Sequence, residues 1–138
     1  FDDRAGAGYL DWQTASWDFA YLMLAYEPYF VDDGQGRDVW SKSSELEANT
    51  PVRVGLTWLA DGDWIENNNE LNMDIDLEVC SPSNRCWTSE DRSNAWELLE
   101  FTTEEAGEYT YTMIMHRREA AAQRNAVKLG LAVNIVTD

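Results

Sequence analysis

Strict alternation of apolar and polar residues is the feature that most limits how this chain can fold. Val52, Val54, Leu56 and Trp58 alternate with Arg53, Gly55 and Thr57. Met73, Ile75, Leu77 and Val79 alternate with Asp74, Asp76 and Glu78. Tyr109, Tyr111, Met113 and Met115 form a third set, and Val127, Leu129, Leu131, Val133 and Ile135 a fourth. A strand sends successive side chains to opposite faces, so a period of two means one buried face and one wet face. Antiparallel sheets permit that division. Weaker strands are expected at Val39–Glu47 and Trp96–Phe101. Asn49-Thr50-Pro51, Asp61-Gly62-Asp63, Ser81-Pro82-Ser83-Asn84 and Glu105-Ala106-Gly107 punctuate the series with turn residues. Short strands divided by turns, without helical crossovers, predict an all-β antiparallel β-sandwich of jelly-roll type.

The first thirty residues follow a different period. Leu10, Ala15, Phe19, Leu22, Met23 and Tyr26 fall at helix-like spacing within Tyr9 to Tyr26, Asp11 suits the N-cap, and Pro28 stops the run. The expected organisation is a short N-terminal helical segment in residues 1–30, a turn-rich linker at 31–38 and a β-sandwich domain at 39–138. Arg117 to Asn125 reads as a loop insert before the last strand.

Charge narrows the partners. The 138 residues include 26 acidic against 10 basic side chains, a net charge of -16. Such a surface repels phosphate backbones, so nucleic acid is not an expected partner. No apolar run approaches the roughly 18 residues that span a bilayer, so no membrane partner is expected. Cys80 and Cys86 enclose Ser-Pro-Ser-Asn-Arg, which reads as a hairpin-tip disulfide and an oxidising compartment; two reduced cysteines in a cytosolic protein are the alternative. With a single His, His116, the chain lacks the four Cys and His ligands of a structural zinc site.

Among candidate sites, Asp74 and Asp76 stand out because a period of two places both carboxylates on one sheet face. Like charges held together call for a cation or donors. Asp61 and Asp63, followed by Glu66, Asn67, Asn68, Asn69 and Glu70, add hard oxygen ligands of the kind Ca²⁺ uses. Calcium is therefore the candidate cofactor, with Asp74, Asp76, Asp61 and Asp63 as its ligands. The competing reading has these side chains bonding turn N–H groups and solvent. A Ser-His-Asp triad would have to use His116, there is no Gly-x-Ser-x-Gly elbow, and no catalytic residues emerge. Trp58, Trp64, Trp87 and Trp96 are either a ligand-stacking platform or packing.

Two stretches resemble one protein family in the right order. Asp3-Arg4-Ala5-Gly6-Ala7-Gly8-Tyr9-Leu10-Asp11, through Ala15, looks like the last strand and final helix of a subtilisin-like catalytic domain. From about Val39 to Asn134 the chain resembles the β-sandwich that follows the catalytic domain in secreted subtilases, similar to pre-peptidase C-terminal and proprotein-convertase P-type jelly rolls. The marks are Val52-Arg53-Val54-Gly55-Leu56-Thr57-Trp58, Asp74-Ile75-Asp76-Leu77, Ser81-Pro82-Ser83-Asn84, Asn94 with Glu97, and Ala106-Gly107-Glu108-Tyr109-Thr110. Met73 stands where family members usually carry Asn, and the cysteine pair is not a general family feature.

The resemblance implies a non-catalytic, secreted accessory domain. It would stabilise the catalytic domain of a parent serine protease and help position substrate. The family's catalytic Asp, His and Ser would lie upstream of Phe1. The expected partner is that catalytic domain, or a second copy joined through the N-terminal helix. An independent carbohydrate- or protein-binding module is the alternative function, and an adhesin with a long bare edge strand is a third.

Overall fold

The computed structural model describes residues 22–26, 30–58, 73–91, 94–117 and 129–135. These residues form β1 (Leu22–Tyr26), β2 (Val31–Asp32), β3 (Asp38–Leu46), β4 (Pro51–Trp58), β5 (Met73–Cys80), β6 (Cys86–Ser89), β7 (Trp96–Thr102), β8 (Gly107–Arg117) and β9 (Leu129–Ile135). One sheet runs β1-β9-β4-β7 and the other β2-β3-β8-β5-β6. Every pairing is antiparallel. The pairs β5·β6, β4·β7, β3·β8 and β1·β9 nest one inside the next, as when a long hairpin is rolled up. That nesting, split between two sheets, is jelly-roll connectivity.

The alternating sets become β4, β5, β8 and β9, and the weaker strands become β3 and β7, each within two residues of the expected bounds. The start of the chain differs. Leu22–Tyr26 is a strand paired with β9, so a helix does not extend to Tyr26. Leu22-Met23-Leu24-Ala25-Tyr26 is apolar throughout and satisfies either period; the edge of β9 decides for strand. Strand pairing also enters the expected linker, because Val31–Asp32 pairs with the start of β3. The sandwich therefore takes in residues ahead of the boundary placed at 39. The expected helix over residues 9–21 and the loop insert beyond Arg117 lie outside the described residues.

Burial follows the alternation. Val52, Val54, Leu56 and Trp58 from β4 and Leu129, Leu131 and Val133 from β9 line one inner face. Ile75, Leu77 and Val79 from β5 and Tyr109, Tyr111, Met113 and Met115 from β8 line the other. The Met73 side chain, also expected in the core, lies outside the described residues. Aromatic rings bridge the sheets: Trp87 of β6 stacks on Phe101 of β7 at 4.4 Å between centroids, and Phe101 lies 6.1 Å from Tyr109 of β8.

Polar groups fix the corners at one end. The Asn84 N–H donates to the Ser81 carbonyl at 2.9 Å, which closes the β5–β6 turn with Pro82 in its second position. Asn84 takes the left-handed conformation (φ 63) that follows such a turn in a short hairpin. Cys80 and Cys86 sit directly opposite each other below it and are disulfide-bonded, as expected. Across from this turn, Gly107 has φ 142, and a Cβ there would come within 2.8 Å of Pro82 Cγ. Two residues later the Tyr109 hydroxyl donates to the Glu105 carbonyl at 3.0 Å, the arrangement of a tyrosine corner. Thr103, buried between β7 and β8, ties in the β3–β4 turn. Its hydroxyl donates to the Glu47 carbonyl at 2.6 Å and accepts from the Thr50 N–H at 2.8 Å.

Gly107→Ala is expected to destabilise the fold by more than about 1 kcal/mol, because strain at positive φ adds to the clash with Pro82. The double variant Cys80→Ser/Cys86→Ser is expected to lose about 2 kcal/mol through the freed unfolded chain. Urea unfolding checks both; a wild-type midpoint for Gly107→Ala would contradict the corner geometry.

Candidate functional site

β5 carries the polar residues that the alternation singled out. Asp74, Asp76 and Glu78 share the outer face, opposite Ile75, Leu77 and Val79, as expected. Asp74 is buried there at 2% exposure despite facing away from the sheet-to-sheet core, and Ile114, the β8 residue opposite Asp76, is buried too. Asp61 and Asp63, the other two expected ligands, lie outside the described residues.

β8 brings an unforeseen partner to this face. His116 pairs across from Asp74 in the strand register, and its ring reaches diagonally so that Nε2 lies 2.7 Å from Asp76 Oδ2. The carboxylate is largely shielded while the imidazole remains half exposed. His116 is thus a surface histidine at a strand end, as expected, and it carries a specific carboxylate contact.

A second carboxylate is buried between the sheets. Glu97 of β7 is 2% exposed and occupies an inward position in line with Leu99 and Phe101. The Ser89 hydroxyl donates to Glu97 Oε2, and the Asp91 N–H donates to Oε1 at 2.8 Å. Glu97 therefore fastens the end of β6 and the following loop to the opposite sheet. Asn94 Nδ2 donates to Asp91 Oδ2 at 2.8 Å and braces that loop. Burial pushes the Glu97 carboxyl above the usual carboxylate range against the pull of its two donors, and Asp76 and Asp91 push it further the same way.

Glu105, at the far corner, behaves oppositely. Hydrogen bonds from the Ser83 and Ser81 hydroxyls and from the Ser83 N–H hold its carboxyl below the usual range.

Metal-ligating capacity is limited among the described residues. Glu78, Cys80 and Cys86 bring three potential donor atoms within 4.8 Å of one another, but the two sulfurs are joined to each other. Asp74 and Asp76 share a face without a third such donor at that range among the described residues.

The tryptophans divide. Trp58 is buried in the core, Trp87 is stacked on Phe101, and Trp40 and Trp96 are half buried. No pair of open tryptophan faces is formed by these four. Trp64 lies outside the described residues.

No protein-family model matches the chain. No curated protein matches it either. Among solved structures, a protein from Sulfurospirillum deleyianum is similar over 86% of this chain and 100% of that one, at 10% identity and a TM-score of 0.44. A likeness at that level carries no argument about activity.

The pH dependence of Glu97 follows from its raised value. The native state holds that proton more tightly than the unfolded chain, whose carboxyl titrates near the ordinary value of about 4.3. The Glu97 contribution is thus fully present below that value and is lost as pH rises through the higher native value. Glu97→Gln is expected to flatten this part of the stability profile, measured by urea unfolding at a series of pH values from the ordinary carboxylate value of about 4.3 upward. An unchanged profile would show that the carboxyl is not desolvated as described.

Proposed function

We propose that this chain is the non-catalytic accessory β-sandwich of a secreted subtilisin-like serine protease. It packs on the catalytic domain, stabilises it and helps position substrate. The observation that carries the proposal is the nested pairing of β3 through β9 over the segment whose motifs resemble subtilase-linked jelly rolls. Each motif sits where a sandwich uses it structurally. Val52–Trp58 is a central strand, Ser81–Asn84 is the β5–β6 turn, and Gly107 with Tyr109 forms the corner. The resembling Glu97 is a tie between sheets rather than a solvent-facing group.

The Cys80–Cys86 disulfide points to an extracytoplasmic location, which secretion satisfies. Peptide hydrolysis tests the proposal. The purified chain is expected to show no cleavage of a generic peptide substrate. Cleavage abolished by a serine-directed inhibitor would overturn it. The sequence ahead of Phe1 provides a second check: a Gly-Thr-Ser-type nucleophile motif upstream is expected.

Calcium belongs to the same proposal, held by Asp74 and Asp76 together with Asp61 and Asp63. Hard carboxylate oxygens on one sheet face support it. His116 competes for Asp76, so calcium binding is expected to displace the imidazole from that carboxylate. Thermal unfolding is expected to show a higher midpoint with Ca²⁺ than with a chelator, because a ligand of the native state stabilises it. An identical midpoint at millimolar Ca²⁺ would remove calcium from the proposal.

A further inference from the structure

The β5–β6 hairpin holds a second potential site, masked by its own disulfide. We infer that reduction of Cys80–Cys86 creates a binding site for a borderline-soft divalent cation of the Zn²⁺ type, with Cys80, Cys86 and Glu78 as ligands. Cys80 and Cys86 are directly opposed in the strand register, so the backbone keeps their side chains adjacent after the sulfurs part. Glu78 precedes Cys80 by two residues and shares its face of β5. The three donor groups already lie within 4.8 Å of one another. A tetrahedral ion with metal–sulfur bonds of about 2.3 Å needs its sulfurs roughly 3.8 Å apart, a separation that side-chain rotation supplies.

The ligand chemistry fits. Thiolates select Zn²⁺ and similar ions over Ca²⁺ or Mg²⁺, and three protein ligands leave one coordination position for water. The reduced site offers two thiolates and one carboxylate to a doubly charged ion. Cys86 is exposed, and Cys80 and Glu78 are half buried, so reductant and ion both reach the hairpin. Thr88 and Thr112 flank Glu78 in the register, and the cation that acts on Glu78, Arg37, is held by its own ion pair with Asp33. The Arg85 guanidinium beside Cys86 is paired with Glu104 and lies over the Trp87 ring.

The redox step balances with a thiol reductant. Two reductant thiols supply two electrons and two protons, the sulfur–sulfur bond breaks, and the reductant leaves as its own disulfide. Cys80 and Cys86 become thiols, and the arriving ion releases both protons as the thiolates coordinate. The hairpin is thus a structural staple under oxidising conditions and an ion site under reducing ones.

Anaerobic titration of the reduced chain with Co²⁺ tests this, because thiolate coordination produces an intense ligand-to-metal charge-transfer band. The expected result is saturation at one Co²⁺ per chain, no band from the oxidised chain, and displacement by Zn²⁺. Glu78→Gln is expected to weaken binding at least about tenfold, the loss that even an outer-shell partner's removal causes. Cys80→Ser and Cys86→Ser should each remove the two-thiolate spectrum. Circular dichroism of the reduced chain and of Cys80→Ser/Cys86→Ser reports whether the sandwich survives without the staple. No band in a folded reduced chain, binding indifferent to Glu78→Gln, or a reduced chain that binds only after unfolding would each overturn the inference.

Discussion

Inward-facing side chains of β8 fill the gap between the two sheets, and the rest of the molecule is arranged around that fact. Tyr109, Tyr111 and Met113 have no exposed surface, and their strand pairs with β3 on one side and β5 on the other. Burying side chains of this size is the main favourable term available to a domain this small. It requires the opposing face of β4 and β9 to be equally apolar and in register. It also requires the tyrosine hydroxyls to find partners, since an unpaired buried hydroxyl costs about 1–3 kcal/mol. Both do: Tyr109 reaches the Glu105 carbonyl, and Tyr111 shares a hydrogen bond of 2.8 Å with Ser44.

The corners follow from the same demand. Packing two sheets face to face obliges the chain to cross repeatedly between them, and each crossing leaves backbone groups outside the ladders. Thr103 satisfies the β3–β4 turn from the β7–β8 turn, and Glu105 accepts from Ser81 and Ser83 in the β5–β6 turn. Glu97 fastens the end of β6 across the gap. These groups resemble chemistry when viewed as a residue inventory, yet their contacts are the ones that hold turns and strand ends in place.

Strand positions were legible because the period of two is imposed by burial itself. β4, β5, β8 and β9 needed nothing beyond the alternation, and the Pro82–Asn84 turn and the disulfide were visible in the spacing of the cysteines. β1 was not, since a uniformly apolar run carries no period. β2 is too short to carry one. Glu97 escaped as a buried group because alternation normally assigns a charged side chain to the wet face, and its donors Ser89 and Asp91 sit in another element. The His116–Asp76 contact was hidden for a similar reason: the residues are 40 apart in sequence and meet only through the β5–β8 register. Asp74 kept its place on the outer face, but its burial could not be inferred from β5 alone.

Native-state hydrogen exchange followed residue by residue tests the central claim, that the side chains packed between the sheets bind both of them into one cooperative unit. The account predicts that the slowest amides of β4 and β9 and those of β5 and β8 exchange with the same free energy and the same denaturant dependence. Exchange in which β3, β8 and β5 open while β4, β7 and β9 stay protected, or the reverse, would contradict it.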